Sequence, residues 1–247
     1  MHARWRGIPD RSDRPDHLRS HRAVALCFLF VSSGSLAEVS GSASLLSDYR
    51  YRGVSLSDHR PAAQVALAYD DASGWYGGAF ASTVRLGYPT NRELQFISFA
   101  GFARRTPSGL SWEAGANYSM ITGERSYGYV EAYVGLASEK ASARLYYAPR
   151  YYGSESGVIY GEVNVSHELQ DGLRLIAHGA VARNNIRDTY GARVDRHVFD
   201  ASLGMVVDFD QFSAQLSWVG RSSANTPYAP TTVRNKNGVV FMLTRSF

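Results

Sequence analysis

The feature that most restricts this chain is a two-residue rhythm of apolar and polar side chains, sustained over segments of about ten residues and broken by turn formers. In the first segment Val39, Gly41, Ala43, Leu45, Ser47, Tyr49 and Tyr51 share one face, and Ser40, Ser42, Ser44, Leu46, Asp48, Arg50 and Arg52 share the other. Successive strand side chains point to opposite sides, so one face suits lipid and the other suits water. The rhythm returns in 110–118, where Leu110, Trp112, Ala114, Ala116 and Tyr118 oppose Ser111, Glu113, Gly115 and Asn117. It returns again in 128–136, 173–181, 199–207 and 212–219. From Glu38 onward no apolar run is long enough for a transmembrane helix.

Counting segments gives about twelve strands, an even number as single-chain bacterial barrels require. They fall at 39–52, 61–70, 75–85, 92–103, 110–119, 127–136, 141–148, 158–168, 173–182, 197–207, 211–219 and 237–247. Every second connection is short and rich in turn formers, such as Thr106-Pro107-Ser108-Gly109 and Gln170-Asp171-Gly172. The others, 53–60, 86–91, 120–126, 149–157, 183–196 and 220–236, are generally longer. Short periplasmic turns alternating with longer outer loops are the asymmetry of a transmembrane barrel. A soluble sandwich or lipocalin-like barrel also alternates, but its apolar face would carry tightly packing Ile, Leu and Val rather than many Ala, Gly, Tyr and Trp. The expected fold is all-β: a transmembrane antiparallel β-barrel, an up-and-down meander spanning 38–247.

Composition agrees. Tyr (16), Phe (11), Trp (4) and Gly (23) are plentiful, whereas lysine occurs only at Lys140 and Lys236. Most of the formal charge of +4 comes from the first 22 residues, where Arg4, Arg6, Arg11, Arg14, Arg19 and Arg22 outnumber Asp10, Asp13 and Asp16. The remainder is nearly neutral, so no basic patch calls for nucleic acid. After that stretch, Ala23 to Val31 is apolar and a small-residue run ends at Ala37. This is the pattern of a cleavable export signal, residues 1–37, with cleavage before Glu38. The charged region is long for such a signal, so residues 1–20 are read as a start-site artefact. Cys27, the single cysteine, lies inside the leader, leaving the mature chain without disulfide, thiolate metal site or cysteine nucleophile.

The final segment places Val239, Phe241, Leu243 and Phe247 on one face. Phe247, Leu243 and Phe241 resemble the terminal signal read by the outer-membrane assembly machinery. Arg245 departs from it, at a cost near the interface of only about 0–1 kcal/mol. The run Ser47-Asp48-Tyr49-Arg50-Tyr51-Arg52-Gly53-Val54-Ser55-Leu56-Ser57, then Pro61-Ala62-Ala63-Gln64 and Tyr69, resembles the opening of the TorF-like family of outer-membrane porins. Glu131-Ala132-Tyr133-Val134-Gly135-Leu136, Tyr146-Tyr147-Ala148-Pro149 with Tyr152, and the ending from Val239 resemble it too. The chain departs from that pattern at Val65, where the family often has glycine, and around 118–123. The resemblance implies a porin-like barrel and brings no known substrate.

Catalytic patterns are weak. Gly153-Ser154-Glu155-Ser156-Gly157 has Glu155 where a nucleophile elbow has serine. His59, His167, His178 and His197 show no metal-ligand spacing, and no metal or cofactor is expected. The inward face is more informative. Asp48, Arg50, Arg52, Glu93, Glu113, Glu131, Arg144, Glu162 and Arg174 are expected to line a pore, with Gln95 and Asn164. The expectation is a narrow pore, not an enzyme, passing small polar solutes or ions, with outer-membrane lipid and the barrel assembly machinery as partners. Two rivals are a non-conducting structural or surface-interaction barrel whose loops 183–196 and 220–236 meet partners, and a lipid-modifying enzyme using His178.

Overall fold

The structure, a computed structural model, describes residues 38–86, 92–123, 127–153, 157–184, 197–222 and 237–247. The expected leader, Ser154-Glu155-Ser156 and most of the connections 183–196 and 220–236 lie outside them. The chain forms β1 (Glu38–Leu46), β2 (Arg50–Tyr51), β3 (Val54–Ser55), β4 (Ala62–Asp70), β5 (Trp75–Val84), β6 (Glu93–Arg105) and β7 (Ser111–Ile121). It continues through β8 (Tyr129–Ala137), β9 (Ala141–Ala148), β10 (Val158–Gln170), β11 (Leu173–Asn184), β12 (His197–Phe209), β13 (Phe212–Arg221) and β14 (Asn237–Ser246). Twelve of these close into one antiparallel barrel in chain order, with β1 sealing against β14, while β2 and β3 pair only with each other.

Each wall strand alternates as the sequence predicts. β8 is buried and exposed in strict succession from Tyr129 to Ala137. Its exposed side carries Val130, Val134 and Leu136, while Tyr129, Glu131 and Tyr133 point inward. A barrel that leaves its valines and leucines outside and its carboxylates inside is built for an apolar surrounding. Near the short turns Phe102 packs against Trp75 and Trp112, with ring centroids 5.4 and 5.8 Å away, as at the aromatic belt of a membrane interface.

Both described chain ends lie with the short turns. Gly41 N donates to Phe247 O at 2.9 Å and Phe247 N donates to Gly41 O at 3.0 Å. The Phe247 ring lies over Gly41, where a Cβ would stand 2.4 Å from it. Phe241 and Phe247 are exposed on the outer surface, and Leu243 shares their side of β14. Arg245 has its guanidinium carbon 5.9 Å from the Phe212 ring centroid and an amine 3.4 Å from Gln211 Oε1 at the neighbouring short turn. In the turn after β4, the Ser73 hydroxyl and amide bond the Asp71 carboxylate and hold it below the usual aspartate range.

The opening segment departs from expectation. The predicted strand 39–52 stops at Leu46, and the chain then turns into the lumen. Tyr49, expected on the lipid face, is 1% exposed inside the barrel. β2 and β3 form a tight hairpin pairing Tyr51 with Val54. Its two central residues, Arg52 (φ 50) and Gly53 (φ 77), are both left-handed, the geometry of a type I′ turn. The alternation misleads because hairpin and wall strand share a two-residue period. The Arg52-Gly53 turn is what separates them.

Candidate functional site

The hairpin sits across the end of the barrel that carries the longer connections. Asp48 organises it, accepting from Ser55 Oγ at 2.5 Å, Ser57 Oγ at 3.1 Å and Arg50 Nε at 2.8 Å, with His59 Nδ1 at 3.2 Å. From this node the hairpin reaches several walls. Tyr49 donates its hydroxyl to Gln95 on β6 at 2.9 Å, and the Tyr51 and Tyr129 hydroxyls stand 3.2 Å apart. Arg52 donates to Glu131 on β8 at 2.9 Å, its guanidinium carbon 4.0 Å from the Tyr160 ring centroid. Arg221 on β13 donates to the Arg52 carbonyl at 2.7 Å. Around Tyr49, Val54 and Leu56 the lumen is packed by Val84, Ile121, Tyr129, Tyr152 and Val158.

Beneath the hairpin lies a cavity of about 700 Å³, lined by Asp48, Arg50 and Arg52 above and reaching Arg105 and Glu139 at the short-turn end. Leu56, Val84, Ile121, Tyr129 and Val158 are absent from its lining. The inner wall is therefore filled by the hairpin at one end and hollow below it.

The expected pore-lining residues divide accordingly. Asp48, Arg50, Arg52, Arg144, Glu162 and Arg174 line the cavity. Asp48, Arg50 and Arg52 arrive there from the hairpin rather than from a wall strand. Glu113 points inward behind Arg144, which bonds both its carboxylate oxygens; Glu131 is held by Arg52. Glu93 lies instead at the long-connection rim, over Gly123.

Sequence reasoning named Arg174 and His178 but passed over the carboxylates that hold them. Arg174 makes a two-pronged pair with Asp208, at 2.8 and 3.0 Å. His178 has Nδ1 2.7 Å from Asn164 Oδ1 and Nε2 3.0 Å from Asp200 Oδ1. Both ring nitrogens of His178 thus face Asn164 and Asp200 rather than the serine hydroxyl that a lipid-hydrolase centre would need. Asp200 and Asp208 were findable, since the alternation of 199–207 turns them inward. The lumenal tyrosines were harder, because aromatic residues on barrels are read first as belt residues.

Following hydrogen-bonded partners from strand to strand exposes a division of labour in the wall. One tilted row runs Asp208, Ser213, Thr244, Ser44, Gln64, Ser82, Gln95. Within it Ser44 and Thr244 hydroxyls meet at 2.8 Å, and Gln64 Nε2 donates to Ser82 at 3.2 Å. Away from the rims, the interior of β13, β14, β1 and β4 to β6 carries no charge, whereas β7 to β12 supply Glu113, Glu131, Arg144, Glu162, Arg174, His178, Asp200 and Asp208. Among the described residues no cluster of His, Cys, Asp and Glu could hold a metal ion.

Residues 32–247 match a family described as a bacterial protein of unknown function, Gcw_chp. The chain belongs to this family. No curated protein matches the sequence. Among solved structures, the NanC porin superposes with a TM-score of 0.56 at 9% identity, covering 85% of this chain and 99% of that one. The KdgM porin in complex with disordered oligogalacturonate gives 0.53 at 8% identity, covering 86% and 99%. An outer-membrane channel from Pseudomonas putida F1 gives 0.52 at 11% identity, covering 87% and 97%. At these identities the likeness is one of fold: this Gcw_chp member shares the outer-membrane β-barrel.

Proposed function

We propose that the protein is an outer-membrane channel through which small hydrophilic solutes or ions diffuse, with the β2–β3 hairpin as its constriction. The observation that carries this reading is a hollow of about 700 Å³, with charged side chains such as Arg50, Arg144, Glu162 and Arg174 in its lining, inside a barrel with an apolar outer surface. A barrel serving only as a surface scaffold has no need of a hollow lined with charges. The likeness to outer-membrane channels and the resemblance of the sequence to TorF-like porins support the same reading, and the proposal includes short turns that face the periplasm. Export by the leader and recognition of Phe241, Leu243 and Phe247 by the assembly machinery belong to the proposal, as does the absence of catalysis.

The second reading, a non-conducting barrel whose loops meet partners, is favoured by one observation: the hairpin and its aromatic neighbours fill the lumen at the loop end. Single-channel recording of refolded residues 38–247 in a planar bilayer decides between them. Discrete, steady openings in KCl are expected. Silence from protein shown to be folded in the same membrane would sink the channel and leave the scaffold.

A further inference from the structure

Two tyrosines lie along the cavity wall in a way their positions alone do not require. Tyr76, Gly101, Gly115 and Tyr133 are successive partners across β5, β6, β7 and β8. A Cβ at Gly101 would stand 2.5 Å from the Tyr76 hydroxyl, and one at Gly115 would stand 2.5 Å from the Tyr133 hydroxyl. The two rings therefore rest on bare backbone and point toward each other along the wall, rather than across the lumen. Their hydroxyls meet at 2.7 Å, and Tyr76 donates to Glu113 at 2.8 Å. The row continues through Tyr146 and Tyr160, and all four tyrosines line the cavity; the Arg52 guanidinium covers Tyr160, which leaves Tyr76, Tyr133 and Tyr146 as the platform. Ser44, Gln64, Gln215 and Ser217 line the same cavity from the uncharged side.

We propose that this tyrosine platform and the hydroxyl and amide wall around the same cavity form a binding subsite for a neutral saccharide. The proposal deepens the channel reading by naming the solute class. A sugar ring has an apolar C–H face that packs on an aromatic side chain and an equatorial rim of hydroxyls that both donate and accept. Serine and glutamine side chains match that rim because each can do both. The cavity's size falls in the range that encloses a small ligand.

Charge selects against acidic sugars. The cations beside the tyrosines and deeper in the cavity are already engaged, Arg50 by Asp48, Arg52 by Glu131, Arg144 by Glu113 and Arg174 by Asp208, while Arg105 and Lys140 stand apart at the short-turn end. Glu162 and Asp200, also in the lining, would repel it. A neutral ligand breaks none of these pairs and meets no like charge.

The test is calorimetric titration of refolded residues 38–247, in a detergent without a sugar headgroup, with maltotriose, cellotriose and trigalacturonate. A neutral trisaccharide is expected to bind at least about tenfold more tightly than trigalacturonate. Tyr133→Leu is expected to weaken it about tenfold and Tyr76→Phe, which keeps the ring, a few-fold. Heat-modifiable gel migration reports that each variant is folded; if Tyr133→Leu is not, Tyr76→Phe carries the comparison. Neither neutral sugar binding, trigalacturonate binding as tightly, or folded variants binding undiminished would each overturn the proposal. KCl conductance keeps the two ideas apart. A conducting protein that ignores neutral sugars loses the subsite and keeps the channel, while one that binds them without conducting keeps the subsite and loses the channel.

Discussion

At Arg52 the backbone and the side chain serve different parts of the barrel. The carbonyl accepts from Arg221 on β13, while the guanidinium crosses to Glu131 on β8. The side chains of Arg52 and Glu131 are 8% and 1% exposed, so Arg52→Gln strands a carboxylate inside the wall. The expected cost is about 3 kcal/mol, checked by denaturant titration of the folded barrel in vesicles. The charge change has a sign as well. Removing the cation takes one positive charge from the lumen, so the reversal potential across a KCl gradient should move toward cation preference. Gly135 makes a second residue-scale case. It lies in register between Glu113 and Arg144, and a Cβ there would stand 2.5 Å from Glu113 Oε1 and 3.0 Å from Arg144 Cγ. The ion pair thus spans β8 over a glycine. Gly135→Ala should displace it and destabilise the barrel by about 1–3 kcal/mol; an unchanged denaturation midpoint would show that the pair has slack.

The elements divide into those that the sequence spells out and one that it disguises. The strands from 61 onward are legible because a lipid-facing side and a water-facing side leave a two-residue trace, and the short turns are legible through Asp171-Gly172 and Thr106 to Gly109. Strand existence and inward parity of Glu113, Glu131, Arg144, Glu162 and Arg174 follow from that trace alone. The hairpin does not, because Asp48, Arg50 and Arg52 continue the rhythm of Ser42 and Ser44 after the chain has left the wall. What each inward side chain touches was equally hidden, since partners such as Arg174 and Asp208 are set by the register of two strands joined through a long connection and not by sequence spacing. If the hairpin is the constriction, fastening it should change conduction. A Cβ at Gly53 would lie 3.1 Å from that of Arg221, shorter than the roughly 3.5–4.5 Å a disulfide spans, so the turn, left-handed at Gly53, must shift outward slightly to admit one. In residues 38–247, which contain no cysteine, the pair Gly53→Cys and Arg221→Cys would be the only thiols. Oxidation should suppress openings wider than the resting state and reduction should restore them. Equal currents in both states would show that solute passes without hairpin movement.

For the molecule as a whole, the surrounding medium decides which face each residue takes. Leu203 is 53% exposed at the middle of β12, paired with Ala177 and Trp218 on either side. In a bilayer, Leu203→Arg should cost about 2–4 kcal/mol. Arg245→Leu, at the rim, should change stability by less than about 1 kcal/mol. Guanidinium titrations of both variants in lipid vesicles check the contrast, and equal effects would mean that the exposed leucines do not face hydrocarbon.

All wall pairings but one join neighbours in the chain; the exception, β1 with β14, brings together Ser44 and Thr244 across 200 residues. The hairpin's contacts with Gln95 and Glu131 span 46 and 79 residues, while its bond from Arg221 spans 169. Contacts of short sequence separation form sooner than long ones, so the hairpin can settle onto a curling sheet of β4 to β8 while that sheet still has two free edges. The last event is then the zipping of Phe247 along Gly41, which encloses an obstruction already seated. On this spacing the barrel is expected to close around its contents rather than be filled after closure.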